Sequence, residues 1–214
     1  MIVKGREVRR ADHPIDHIFV DRWSPRAMSG EPLTESELMT LFEAARWAPS
    51  ASNMQPWRIF YAMRDTPEWP TFFGLLKESN QVWCRNAAAL LVFASISVNP
   101  KTGTPLKTHS YDTGSAWVSV ALQGSLRGLV VHGMAGFDYE QARQSLSIPA
   151  DWTVEAMAAI GRPGRLEDLP ENLRAREVPS TRQGVQDFTY KGTWKANPRT
   201  LEPSNPRTVE PSNL

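Results

Sequence analysis

Apolar positions recur along this chain first at helical and then at alternating spacing. Leu38, Leu41, Phe42 and Ala45 keep the helical interval. Thr34-Glu35-Ser36-Glu37 precedes them as a capping box, in which Thr34 and Glu37 satisfy each other's free backbone N–H groups. The helix must stop at Pro49, which has no N–H to donate and pushes Ala48 out of the helical region. Trp57, Ile59, Tyr61 and Met63 then alternate with Arg58, Phe60, Ala62 and Arg64, which predicts a strand with at least one covered face. Residues 87–96 are apolar and bounded by Asn86 and Asn99-Pro100, the pattern of a buried strand. Residues 112–126 predict a long helix rich in Ala, Ser and Gly, packed in the core or at a subunit interface, and Gly128 ends it. Residues 129–134 predict a strand running into Ala135-Gly136-Phe137. Asp138 with Gln141 caps a short helix to Leu146, and residues 154–160 form a last strand closed by Gly161.

Weaker signals fill the gaps. A helix is expected near Pro14, with Ile15, Ile18 and Phe19 on one face, and another over residues 72–76. Residues 1–13 are charged and mixed, and read as a loosely held arm. Residues 101–110 are polar, with Gly103 and Pro105, and form either a surface loop or a lid. Helices and strands alternate only in part, so the fold class is α+β rather than a regular parallel sheet. From Pro163 onward the chain is polar and rich in Pro and Arg, too poor in apolar residues to build its own core. It closes on a near-duplication, Pro198 to Asn205 and then Pro206 to Asn213, with the composition of a tail. One domain over residues 1–194 is expected, followed by this tail over 195–214.

Composition narrows the possibilities further. The chain has 214 residues, 41% apolar and 22% charged, enough for one core that buries roughly 70% of the unfolded surface. A formal charge of +1 leaves no excess of Lys and Arg for a phosphate backbone, so no nucleic acid is expected as a partner. The lone Cys84 cannot form an internal disulfide and reads as a small core residue beside Trp83. No apolar run approaches membrane-spanning length and the N-terminus lacks an apolar targeting segment, so a cytoplasmic protein without a membrane partner is expected. The four His are scattered without ligand spacing, so no metal site is expected. Eight Trp hint at aromatic surfaces for a planar ligand or a partner subunit, although ordinary packing explains any one of them as well.

Three local features could carry chemistry. Arg22, Ser24 and Arg26 offer two guanidinium groups and a hydroxyl within five residues, suited to a phosphate and a polar ring edge, although such a pair also fits a solvated surface. Pro49, Ser50, Ala51, Asn53 and Gln55 make a turn of short side chains with free backbone donors, or simply a helix stop. His132-Gly133-Met134-Ala135-Gly136-Phe137 ends a strand with small residues that would let a ligand ring reach backbone N–H groups, or that merely make a tight turn.

Joined in this order, Arg-x-Ser-Pro-Arg, a capped helix and Ala-Arg-Trp-Ala-Pro-Ser-x-x-Asn-x-Gln-Pro-Trp-Arg, the motifs resemble the FMN-dependent nitroreductase family. The likeness continues through Tyr111-Asp112-x-Gly114-x-Ala116, Gly128-Leu129, His132-x-Met134-Ala135-Gly136-Phe137-Asp138 and Phe188-x-Tyr190-x-Gly192-x-Trp194. It implies a nitroreductase-like FMN-binding fold, a central mixed or antiparallel sheet flanked by helices. It also implies an intertwined homodimer, with residues 163–194 wrapping the partner and FMN at the subunit boundary. By the same likeness, Arg22 and Ser24 would hold the phosphate and ribityl end, and Arg26 would lie near the pyrimidine edge as an electrostatic aid. Pro49, Ser50, Ala51, Asn53 and Gln55 would approach the flavin from the other subunit. Ala135 and Gly136 would aim backbone N–H groups at the flavin N5 region, with Met134 beside them in the cofactor site, and Arg182 would add a phosphate contact.

The chain departs from that pattern at Ser180 and Gly184, where an Arg and a Pro are usual, so only Arg182 remains of the late pair. Ala51 replaces a frequent Ser, Ser52 a bulkier residue, and Ala135 lacks the acid of some relatives. The implied activity moves reducing equivalents from NADH or NADPH through flavin N5 to a nitroaromatic, a quinone or a similar small acceptor, with the flavin doing the chemistry and the protein positioning it. Specialised flavin chemistry on the same fold (dehalogenation, flavin cleavage, ring dehydrogenation) and non-catalytic flavin binding are the alternatives.

Overall fold

The structure is a computed structural model and describes residues 3–194. Its centre is one four-stranded sheet, β1 (Trp57–Met63), β2 (Ala89–Ile96), β3 (Val130–Met134) and β4 (Trp152–Gly161), in the order β1-β2-β4-β3. Every neighbouring pair is antiparallel, so the sheet is purely antiparallel rather than mixed. β2 lies between two partners and is buried along all but its last residue, which explains its unbroken apolar sequence.

Helices cover both faces. On one side α3 (Glu35–Arg46) and α6 (His109–Leu126) set Leu38, Leu41, Ala116, Val120 and Ala121 against Leu91, Phe93, Ala158 and Ile160. On the other, α4 (Trp69–Gly74), α5 (Glu78–Cys84) and α7 (Tyr139–Ser145) bring Phe72, Trp83 and Ala142 onto Leu90, Val92, Met157 and Ala159. The caps form as the sequence demands: Thr34 accepts from the Glu37 N–H, and Asp138 from that of Gln141. Gly128, at φ +70°, ends α6 in the left-handed conformation that glycine adopts without penalty.

Several expectations shift. The arm is not loose: α1 (Gly5–Val8) packs beside α2 (His17–Asp21), Arg6 pairs with Asp21, and Trp23 Nε1 donates to the Val3 carbonyl at 2.8 Å. α2 begins only at His17, capped by Asp16, and Ile15 and Phe19 face solvent; the Asx cap outweighed the apolar spacing that placed the start at Pro14. The helix expected over 72–76 starts at Trp69, and α5 went unforeseen because Glu78-Ser79-Asn80-Gln81 carries no apolar period. Of residues 101–110, those up to 108 form a largely exposed turn closed by a Val98–Pro105 bridge, and His109 and Ser110 already open α6. After Gly161 the chain first packs on its own body. Pro163 bridges Met28, Leu169 is buried, and α8 (Glu171–Arg174) follows. Farther on, Val178, Phe188, Tyr190 and Trp194 are exposed. The duplicated tail lies outside the described residues.

Candidate functional site

The extended segment after α2 carries the first motif. Arg22 Nη1 lies 3.2 Å from Ser24 Oγ, so one side chain steadies the other. Two more guanidinium groups close in. Arg9, from the arm, donates to the carbonyls of Val20 and Arg22 at 3.1 and 2.9 Å and to that of Ser180 at 2.8 Å. Arg182 donates to Ser180 Oγ at 2.8 Å. Burial, and then the charge of Arg182, push the Arg22 guanidinium below its usual range; Arg9 moves the same way through burial, Arg182 and Arg22. None of the three makes an ion pair with a described residue. Three like charges held together in this way have the chemistry to receive an anion.

Arg26 is placed differently. Its backbone N–H and that of Ala27 donate to Glu177 Oε1 at 2.6 and 2.8 Å, and its Nη1 lies 3.8 Å from Glu177 Oε2. This contact is too long for a hydrogen bond, and Oε2 is buried without one. The charge of Arg26 is therefore partly offset by a carboxylate from the C-terminal extension. Behind this segment, His132 Nδ1 donates to the Pro25 carbonyl at 2.8 Å, and its ring lies 4.5 Å from that of Trp83. Burial, aided by Arg26 and Arg22, pushes its pKa down to about 4. His132 is thus a neutral post under the Arg22-to-Arg26 segment.

The third motif emerges where β3 ends. The ladder stops at Met134, and the N–H groups of Ala135 and Gly136 find no acceptor among the described residues. Met134 is buried, whereas Ala135 faces solvent. The Gly136 carbonyl accepts from Lys77 N at 3.0 Å and from Asn80 Nδ2 at 2.9 Å. A Cβ at Gly136 would stand 2.6 Å from Asn80 Nδ2, so a larger residue would push the Asn80 amide off the Gly136 carbonyl.

The second motif is an exposed, strained turn. Ser52, Asn53 and Gln55 have φ of 50°, 54° and 47°, left-handed values that cost non-glycine residues roughly 1 kcal/mol each or more. Internal bonds hold it: Gln55 N donates to Ser50 Oγ at 3.0 Å and Gln55 Nε2 to Asn53 Oδ1 at 3.0 Å. Ala51 N donates to Oδ2 of the buried Asp112 at 3.1 Å, which ties the turn to α6. Pro49 stands exposed before it. Among the described residues, no hydrogen bond joins this turn to the Arg22-to-Arg26 segment. The structure brings the first motif together with Arg182, and leaves the second apart: the turn is tied to the N-terminal end of α6 through Asp112, whereas Arg22 and Pro25 lie with Ala121, Ser125 and Leu126 near the other end of that helix.

Two residues at the site had escaped sequence reasoning. Arg9 reaches it through the fold of the arm, 171 residues from Ser180, and no local signal marks it. Asn80 lies on the unforeseen α5, and its polar neighbours gave no period to follow.

A solved structure described as an oxidoreductase containing FMN is 42% identical and superimposes with a TM-score of 0.86, over 92% of this chain and all of the other. A Streptomyces coelicolor protein named as a proposed NADH dehydrogenase/NAD(P)H nitroreductase is 24% identical over 165 residues, covering 68% of this chain and 81% of its own. An uncharacterised 15.4 kDa protein of Mycolicibacterium smegmatis is 29% identical over 125 residues, 58% of this chain and 82% of its own. Residues 20–69 match the model of the nitroreductase family, and with the identity shared along nearly its whole length, the chain belongs to that family.

Proposed function

We propose that this protein is an FMN-dependent oxidoreductase that passes reducing equivalents from NADH or NADPH to a small acceptor such as a nitroaromatic or a quinone. The observation that carries this reading is the convergence of Arg9, Arg22 and Arg182, none of them in an ion pair with a described residue. Such a cluster fits a phosphate monoester, with Arg22 and Arg182 reaching its oxygens and Ser24 and Ser180 holding their planes in place. Arg9 then stands in for the second Arg that Ser180 replaces, and ties the arm to the phosphate site. FMN, once bound, supplies hydride chemistry at its ring, and the chain's own groups position it.

Two further features fit that ring. The unpaired N–H groups of Ala135 and Gly136 would donate to its edge and stabilise negative charge there. Arg26, its charge moderated by Glu177, would lie along the opposite edge. The 50–55 turn is tied to the N-terminal end of α6 and makes no hydrogen bond to the arginine cluster among the described residues, so its part calls for a second copy. α6 presents Tyr111, Val118 and Leu126 to solvent, and Trp47 is exposed beside the turn; these residues and the 178–194 segment would be covered in a homodimer.

Purified protein should be yellow, and anaerobic NADH or NADPH should bleach the flavin bands, which an added quinone restores. A colourless protein that FMN cannot reconstitute would overturn the reading.

A further inference from the structure

A cavity of about 370 Å³ opens beside Ala135, walled by α6, β3 and β4, with Ser110, Thr113, Trp117, Met134 and Glu155 in its lining. It has room for a one- or two-ring molecule. The walls are mostly apolar apart from one corner, and a fault in the sheet builds that corner. Phe93 pairs with Ala156 and Ala94 with Val154, so Glu155 has no partner on β2 and forms a β-bulge. Val154 and Met157, three residues apart, consequently both face the α5 side of the sheet. Glu155 is turned to the α6 side, where Ser95, His109 and Ser110 wait.

The carboxylate is then aimed by hydroxyls. Ser110 Oγ donates to Glu155 Oε1 at 2.7 Å, and the fully buried Ser95 donates to the same oxygen. Because the Ser95 proton is committed there, His109 Nδ1, 2.7 Å from Ser95 Oγ, must be the donor to it. Both hydroxyls spend themselves on Oε1, and no donor among the described residues reaches Oε2. The side chain keeps 20% of its surface exposed. Two other polar atoms, Thr113 Oγ1 and Trp117 Nε1, are buried on residues of the cavity wall without partners. This is more polar construction than an idle gap between a helix and a sheet requires.

We propose that this cavity binds a planar molecule bearing a cationic or N–H/O–H-donating substituent, and that Glu155 selects it by accepting from that substituent at Oε2. An anionic substituent of the same shape meets the donor-free oxygen of that carboxylate and is disfavoured. That the occupant is the electron acceptor rests on the flavin reading above; the charge preference itself does not.

Benzamidine and benzoate share a ring and differ in charge, and titration calorimetry of each into the purified protein tests the inference. Benzamidine should bind at least about tenfold more tightly than benzoate, and Glu155→Gln should bring the two within about twofold. Equal or reversed affinities in the unaltered protein, or a ratio that survives Glu155→Gln, would overturn it. Should Glu155→Gln fail to fold, Glu155→Asp, which withdraws the charge by one methylene, must shrink the ratio, and an unchanged ratio counts against the inference. Flavin content is read separately on the same samples. Yellow protein without the preference sinks this inference alone, and colourless protein with it sinks the flavin reading alone.

Discussion

At the residue scale, the candidate site gathers guanidinium groups without an ion-pair partner, and backbone N–H groups without an acceptor, among the described residues. Arg182 contributes a guanidinium steadied by Ser180 and otherwise directed at no described acid. Arg182→Ala should weaken FMN binding by about tenfold to a hundredfold, the worth of one charge-assisted hydrogen bond; quenching of flavin fluorescence on titration measures it. His132 supports the same segment and gives a pH signature. Its folded pKa of about 4 lies below the ordinary 6.5, so between those values the unfolded chain holds a proton that the fold refuses. Stability should therefore be intact above pH 6.5 and decline as pH falls toward 4, by up to about 3 kcal/mol from this group. Urea unfolding midpoints across that range should slope accordingly, and His132→Gln should flatten the slope.

At the scale of elements, the candidate site residues sit where regular structure ends. β3 stops at Met134 and exposes two N–H groups; α3 stops before Pro49 and gives way to three left-handed residues. α6 holds that strained turn through a single carboxylate, Asp112, which also accepts from Thr108. Asp112→Ala should leave the helix content unchanged in circular dichroism but cost about 1–3 kcal/mol in stability and loosen FMN binding, because the Ala51 N–H loses its acceptor. Retained affinity would mean that the turn does not touch the cofactor. The helix around it was legible from Thr34, Glu37 and the apolar spacing behind them. α5 was not, since its helicity comes from Trp83 and Cys84 packing on the sheet while its first turn is polar throughout.

At the scale of the molecule, the 50–55 turn and the Arg22-to-Arg26 segment lie near opposite ends of α6 in one chain. If the site spans two subunits, neither defect below is fatal in combination. One chain would carry Arg22→Ala with Arg182→Ala, the other glycine in place of residues 50–53. Each alone should bind flavin poorly as a homodimer, yet hybrids should regain one intact site per dimer, because a two-fold interface pairs the sound half of each. Flavin content of the purified hybrid measures this, and hybrids as poor as their parents would confine the site to one chain. The arm shows the same point within a chain. Its mixed charges read as loose, but Arg6 finds Asp21 and Arg9 finds Ser180 across the fold.

The amino-acid sequence by itself determined the elements whose signals are local. These are the capped α3, the apolar β2, the alternating β1, the glycine stop after α6 and the order of motifs that marks the family. Such features depend on neighbours a few residues away, so spacing suffices to read them. Only the tertiary structure decided that the sheet is wholly antiparallel, that Arg9 joins Arg22 and Arg182, that Glu177 moderates Arg26, and that a bulge turns Glu155 toward α6. Each of these joins groups far apart in the chain. Their partners are fixed by strand register and helix packing, which no local pattern records.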